Sequence, residues 1–204
     1  VTLRSAERLA LAHGACVVVE LADPEAGLAA LDPLEQRRAR ELPDVRRREF
    51  IAGRSALHLA LSSPAPILSD DRGAPLLPAG WVGSVSHKGA HAAALIAPAG
   101  NGRVGLDLEL AAAPRRDISR RILTPREQAQ LPDLGRAVTL RFSIKEAIYK
   151  AIDPYLRRYV GFTEVELDFT GDAVQVTTAL PFSIEVTWRE HGDHWLATAR
   201  ATPR

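Results

Sequence analysis

The sequence of 204 residues has one cysteine, no methionine, three lysines and a net charge of only +1. A single thiol, Cys16, excludes an internal disulfide framework and a thiolate metal cluster, and it fits a reducing cytoplasm. Beside Val17, Val18 and Val19 it reads as a small buried hydrophobe. The near-zero charge, with a hydrophobic fraction of 46%, excludes a disordered tail and a general nucleic-acid coat, so any basic site is local. No apolar run is long enough to span a bilayer: Glu7, His13 and Glu20 interrupt the early stretch around Leu9 to Leu21. The expectation is a soluble cytoplasmic protein with neither membrane nor nucleic acid as partner.

Lysine scarcity is the most informative absence. Of 26 basic residues only Lys88, Lys145 and Lys150 are lysine, and the rest are arginine. Drift toward arginine removes lysine wherever a guanidinium serves equally well. An ammonium is a compact donor that can meet a phosphate or release a proton, and a guanidinium does not release one. The surviving lysines therefore mark a candidate active site.

The punctuation of the chain predicts two similar halves. Residues 15–21 read as a buried strand, Asp32-Pro33-Leu34-Glu35 as a capped helix start, 45–61 as a longer helix, and 82–87 and 91–97 as a strand pair turning at Lys88-Gly89. The order then repeats, with a strand at 103–110, a helix start at Thr124-Pro125-Arg126-Glu127 and a long helix near 135–152. Strands follow around 163–169, 173–178, 182–188 and 194–200. The two helix caps stand 92 residues apart (124 minus 32), and Gly89-Ala90-His91 is echoed by Gly192-Asp193-His194. We expect an α+β fold of two such halves related by a pseudo-twofold, 1–101 and 102–204, with the active site in the cleft between them.

In the strand from Arg103 to Leu110, Val104, Leu106, Leu108 and Leu110 share one parity, while Gly105, Asp107 and Glu109 share the other. The two carboxylates are then ~7 Å apart on one face, in reach of one hard cation such as Mg²⁺. The same pattern also serves a solvated sheet face. On the later helix Leu140, Ile144, Ala147, Ile148 and Ala151 form an apolar stripe, with Glu146 and Lys150 roughly opposite and one turn apart. An i,i+4 surface pair explains that spacing, but it does not explain why lysine was kept.

Val104-Gly105-Leu106-Asp107-Leu108-Glu109, followed by Phe142-Ser143-Ile144-Lys145-Glu146-Ala147-Ile148-Tyr149-Lys150, is similar to the paired signature of phosphopantetheinyl transferases. Further matches lie in Arg47 to Arg54, Gly73-Ala74-Pro75 and Ser84-Val85-Ser86-His87. Order and length resemble the larger, pseudo-dimeric type that activates peptide, polyketide and siderophore synthetases. The resemblance implies an enzyme that moves the phosphopantetheine arm of coenzyme A onto a serine of an apo acyl or peptidyl carrier protein, releasing 3′,5′-ADP. It implies that Asp107, Glu109 and Glu146 hold Mg²⁺ and that Lys145 and Lys150 contact phosphates. Glu146, directly or through a metal-bound water, is the candidate base, Lys150 the leaving-group donor, and Asp107 the third catalytic residue.

Arg47 and Arg54, two helical turns apart, share a face that a solvated helix surface explains equally well; the resemblance implies that they fork onto the 3′-phosphate of coenzyme A. The resemblance implies that Gly73, Pro75, Ser86, His87 and Lys88 complete the coenzyme A contacts. Ala74 stands where the family often has a basic residue, and Arg72 or Lys88 is the candidate replacement. Residues 111–136 are the expected docking region for the carrier, and one chain holding both halves predicts a monomer. Two other readings stay open: a different Mg²⁺-dependent phosphoryl transferase using the same carboxylates, and a non-enzymatic arginine-rich binding module. No G-x-x-x-x-G-K-[ST] loop supports the first, and the near-zero charge argues against the second.

Overall fold

A computed structural model describes residues 2–131 and 135–204; part of the expected docking region, 132–134, lies outside the described residues. The chain divides into two compact units, Val1–Gly100 and Asn101–Arg204.

In the first unit a four-stranded antiparallel sheet runs in the order β1-β2-β4-β3. Its strands are β1 (Leu3–Leu11), β2 (Gly14–Leu21), β3 (Trp81–Lys88) and β4 (His91–Pro98). The central strands are near-continuous apolar runs, as strands covered on both faces must be. Three helices precede β3: α1 (Pro24–Ala30), α2 (Pro33–Arg40) and α3 (Asp44–Leu61). Val17, Val19, Ala92, Ala94 and Ile96 of the sheet pack with Ile51, Ala52, Ala56 and Leu57 of α3 in one core.

Two elements escape the sequence pattern. β1 is an edge strand with charged residues Arg4, Glu7 and Arg8 exposed, so its apolar positions are too sparse to read as a strand. α1 has only seven residues, but it is capped as a longer helix would be: Asp23 accepts from the N–H groups of Glu25 and Ala26, and Pro24 opens the first turn.

The capping box of α2 is more than local. Glu35, fully buried, accepts from the N–H of its own cap Asp32 and from the distant N–H of Ile67 at 3.0 Å. His58 of α3 puts Nε2 2.8 Å from Glu35 Oε2 and Nδ1 2.7 Å from Ser63 O. With Glu35 ionised both partners are acceptors, an arrangement that favours a ring protonated at both nitrogens. The hydrogen bond to Glu35 overcomes burial and raises His58 above its ordinary pKa. Burial opposes charge on Glu35, but the hydrogen bonds from His58 and Ile67 prevail and hold its carboxyl below the ordinary value.

A pH dependence follows from these two directions. The pair stabilises fully only between the ordinary carboxyl and imidazole values, about 4.3 and 6.5. Its contribution falls away as pH rises through the elevated pKa of His58, and again as pH drops through the depressed pKa of Glu35. His58→Gln should cost ~2 kcal/mol near pH 6, and the gap to the wild type should narrow by pH 9. Urea unfolding at both pH values checks this, and an equal gap at both would contradict it.

The second unit holds β5 (Arg103–Leu110), β8 (Phe182–His191) and β9 (His194–Pro203) in the order β5-β9-β8, and a two-stranded pair, β6 (Val165–Thr170) and β7 (Ala173–Thr178). Its helices are α4 (Ser119–Ile122), α5 (Pro125–Gln130) and α6 (Arg136–Leu156). α6 runs four residues beyond the predicted end, carrying Pro154 in its last turn, and stops at Arg157 in the left-handed region (φ 50°).

α6 packs on the face of the sheet that carries Trp195, Ala197, Ala199 and Ala201 of β9. Those residues are in register with Glu109, Asp107, Gly105 and Arg103, the parity that holds the acids. The alternative of a solvated acidic face on β5 is therefore corrected: the acidic parity lies under the helix with Asp107 buried, and Val104, Leu106 and Leu108 are buried as well. Gly105 makes this possible. A Cβ there would overlap the carbonyl oxygen of Ala147 and stand 2.7 Å from the nitrogen of Ala151, so strand and helix backbones meet where the side chain is missing.

Candidate active site

The close approach at Gly105 sets what happens two residues along β5. Ser143 and Lys150 of α6 flank Ala147 and reach the Asp107 carboxylate from either side. Ser143 Oγ donates to Asp107 Oδ2 at 2.8 Å, and Lys150 Nζ donates to Asp107 Oδ1 at 2.8 Å and to the carbonyl of Leu106 at 2.9 Å. Asp107 is 6% exposed and Ser143 fully buried, while the Lys150 side chain keeps 26% of its surface. The ion pair is thus anchored at the strand, and the Lys150 side chain is its more exposed member.

Glu146 lies one turn before Lys150 on α6. Burial raises its pKa, the charges of Asp107 and Glu109 raise it further, and Lys150 works in the opposite direction. The three predicted carboxylates therefore share one field. Glu109 is half-buried, and its Oε1 accepts from the N–H of Leu110 at 2.8 Å. As the side chains stand, no group of three or more His, Cys, Asp or Glu among the described residues is placed to hold a metal ion. The donor set still fits one: three hard oxygen donors whose mutual repulsion already destabilises the charged form of Glu146 suit a hard divalent cation. Beside Glu146 lies a mostly apolar crevice of about 140 Å³ walled by Ile148, Ile152, Tyr159, Val160 and Phe162.

Lys145 does not join this group. Its side chain, 2% exposed, donates through Nζ to Glu127 Oε2 at 2.7 Å and to the carbonyl of Ile122 at 2.9 Å. In the structure the Lys145 ammonium is engaged by these two groups, and its side chain also lines the crevice beside Glu146. Glu127 is the third residue of the Thr124 capping box and also accepts from the N–H of Leu167 at 3.0 Å, so α5, α6 and β6 meet on one carboxylate. The first unit repeats this device with Glu35, Ile67 and a cation from its long helix, Arg54 Nε, 3.8 Å from Glu35. Burial lowers the pKa of Lys145, opposed by Glu127.

The first unit contains a separate cavity of about 450 Å³, lined by Arg38, Arg46, Arg54, Glu49, Gly73 and His87 among others. Arg54 is 3% exposed; its guanidinium stacks 4.4 Å from the Phe50 ring centroid and donates to Ser69 Oγ at 2.7 Å. Its Nε is buried without a hydrogen-bond partner. Burial lowers the pKa of Arg54 to about 10, opposed by Glu35. Gly73 reaches the rim through a turn in which Asp70 Oδ1 accepts from the N–H groups of Arg72 and Ala74. His87 Nδ1 stands 3.4 Å from Glu49 Oε1.

Arg47 stands apart from this lining. Its guanidinium turns back to the carbonyls of Ala39 and Leu42 at 3.2 and 3.1 Å, bracing the turn between α2 and α3. Arg46 takes the cavity position instead, held by Glu49 at 2.9 Å. Ser86 points to the face of β3 opposite Val85 and His87 and is buried, Pro75 pairs with Ser69 in a backbone bridge, and Lys88 is half-buried at the β3–β4 turn. None of these three lines the cavity. Cys16 is buried, which pushes its pKa up to about 12 and makes it inert as a nucleophile. Among the described residues no helix is long and apolar enough to cross a membrane.

Comparison with known proteins agrees with this division. Residues 34–97 match the 4′-phosphopantetheinyl transferase N-terminal domain, and residues 103–199 match the 4′-phosphopantetheinyl transferase superfamily. The chain is 34% identical over 137 residues to the 4′-phosphopantetheinyl transferase PptT of Mycobacterium tuberculosis, covering 63% of this chain and 60% of the relative. It is 34% identical over 145 residues to Npt of Nocardia iowensis, covering 67% and 65% respectively. With Svp of Streptomyces mobaraensis it shares 30% identity over 168 residues, covering 77% of this chain and 68% of the relative. The chain thus spans less than two thirds of the length of the first two relatives. Two tandem matches, together with a relative matched over more than two thirds of its length, place the chain in the 4′-phosphopantetheinyl transferase family.

Proposed function

We propose that the chain transfers the 4′-phosphopantetheine arm of coenzyme A to a serine of an apo acyl or peptidyl carrier protein. The observation that carries this reading is the Lys150–Asp107 pair, which joins the two segments of the family signature in one buried constellation. In the reaction the serine Oγ attacks the β-phosphorus of coenzyme A, an Oγ–P bond forms, the bridging P–O bond breaks and 3′,5′-ADP leaves. Glu146, directly or through a water, accepts the serine proton. Lys150, paired with Asp107 on a side chain that keeps 26% of its surface, stabilises or protonates the departing phosphate.

Asp107, Glu109 and Glu146 would hold Mg²⁺, which supplies charge neutralisation to the pyrophosphate when bound. The apolar crevice beside Glu146 suits the pantetheine arm. We assign the 3′-phosphate of coenzyme A to the cavity of the first unit, where the guanidinium of Arg46 suits it. We place the enzyme in the cytoplasm as a monomer. The reading is tested by following release of 3′,5′-ADP from coenzyme A in the presence of an apo carrier protein. Release should require Mg²⁺ and the carrier together, and release that ignores either would overturn the proposal.

The cavity assignment makes its own prediction. A hydrogen bond to a charged group contributes ~1.5–3 kcal/mol, so Arg46→Ala should weaken coenzyme A binding ~10-fold or more. Binding of 3′-dephospho-coenzyme A should be nearly unchanged. Calorimetric titration with both ligands checks this, and equal losses for the two would contradict the phosphate assignment.

A further inference from the structure

The Asp107 carboxylate is held at both oxygens, and the two holders differ in kind. Lys150 keeps about a quarter of its side-chain surface and has four rotatable bonds with which to follow a phosphate. Ser143 is fully buried on a helix whose backbone is pressed against β5 at Gly105, so its hydroxyl cannot move away. A serine inside a helix has a nearer option, the carbonyl of the preceding turn. Ser143 instead donates across to the strand, at 2.8 Å, to Asp107 Oδ2.

We infer that Ser143 is a positioning residue, which fixes the rotation of the Asp107 carboxylate so that Oδ1 stays available to a divalent cation when Lys150 swings to substrate. The inference rests on the reading of Asp107 as a metal ligand given above. Ser143 touches neither substrate nor cation in this account; it acts through Asp107. Hydrogen-bond donors to ligating carboxylates orient the ligand and limit the cost of ordering it, and their loss typically costs ~10–100-fold in metal affinity.

The test uses the full chain and Mn²⁺ as the probe, with free Mn²⁺ measured by electron paramagnetic resonance. Ser143→Ala removes one oxygen atom from a buried position and creates no overpacking. It should weaken Mn²⁺ binding ~10-fold or more and raise the Mg²⁺ concentration for half-maximal transfer by a similar factor. At saturating Mg²⁺ its turnover should return to within a few-fold of wild type. In an Asp107→Asn background the same substitution should change Mn²⁺ affinity less than twofold, because the group it positions is already gone. Ser143→Thr, which keeps the hydroxyl, should recover most of the affinity.

Mn²⁺ affinity in Ser143→Ala within twofold of wild type would overturn the role of Ser143 while leaving the metal site standing. Wild type that binds no Mn²⁺ and transfers nothing would overturn the metal reading and the role of Ser143 with it. The wild-type control therefore separates the two failures.

Discussion

Asp107→Asn should lower transfer by about 10³-fold and leave the unfolding temperature within a few degrees of wild type. The substitution keeps the shape of the side chain and leaves an oxygen to accept from Lys150, while Ser143 can rotate its hydroxyl to accept from the new amide. It removes the charge, the one property that a cation site needs and that packing does not. Electrostatic stabilisation by a bound cation amounts to several kcal/mol in such transfers, and each 1.36 kcal/mol is about tenfold in rate. Activity of the purified variant against an apo carrier protein, measured beside its thermal melt, separates the two consequences. Near-normal transfer would remove Asp107 from the chemistry. A collapsed melt would show that the ion pair is chiefly structural.

A second large effect is expected from one added methyl group, at Gly105. Its Cβ would collide with backbone, the Ala147 carbonyl and the Ala151 nitrogen, so no rotamer change relieves the overlap. β5 and α6 must separate, loosening the core of Ile144, Ile148, Ala197 and Ala199 and drawing Ser143 and Lys150 off Asp107. Overpacking costs ~1–3 kcal/mol where side chains can adjust, and a clash between backbones belongs above that range. At ~2–4 °C per kcal/mol for a chain of this size, Gly105→Ala should melt at least ~6 °C lower, and its folded fraction should also transfer poorly. Gly171→Ala is the control: its φ of 60° makes alanine strained, but nothing stands within 4 Å of the new Cβ, so the cost should stay near ~1 kcal/mol. Equal melting temperatures for the two variants would mean that strand and helix do not meet as described.

The legible parts of the fold were those with local chemistry. Asp32-Pro33-Leu34-Glu35 and Thr124-Pro125-Arg126-Glu127 read as capping boxes and form them. The apolar residues at helical spacing in 45–61 and 140–151 lie in helices α3 and α6. What escaped was set by tertiary neighbours. Nothing in the sequence says that the glutamates of the two boxes are also buried acceptors for Ile67 and Leu167. The acidic parity of β5 also suited a solvated face because its side chains are charged, whereas Gly105 and the small alanines of β9 admit a helix against it.

The site was legible to a similar depth. The kept lysines pointed to α6, where Lys150 reaches Asp107 and Lys145 reaches Glu127. A compact ammonium fits the enclosed space between Ile122 O and Glu127, where a planar guanidinium would need more room. Two-turn spacing paired Arg47 with Arg54, but Arg47 lies close to the helix start and turns back onto the carbonyls that end α2. Arg46, one position earlier, lines the cavity with Arg54. Periodicity assigns a residue to a face of its helix; which neighbour a long side chain then meets depends on contacts from elsewhere in the chain.

The most direct test of the account is intact-protein mass spectrometry of an apo carrier protein incubated with this chain, coenzyme A and Mg²⁺, beside an EDTA control. The account predicts a gain of one phosphopantetheine arm on the carrier that disappears with EDTA and with Asp107→Asn. A folded chain that leaves several unrelated carrier proteins unmodified, or modifies them equally in EDTA, would contradict it.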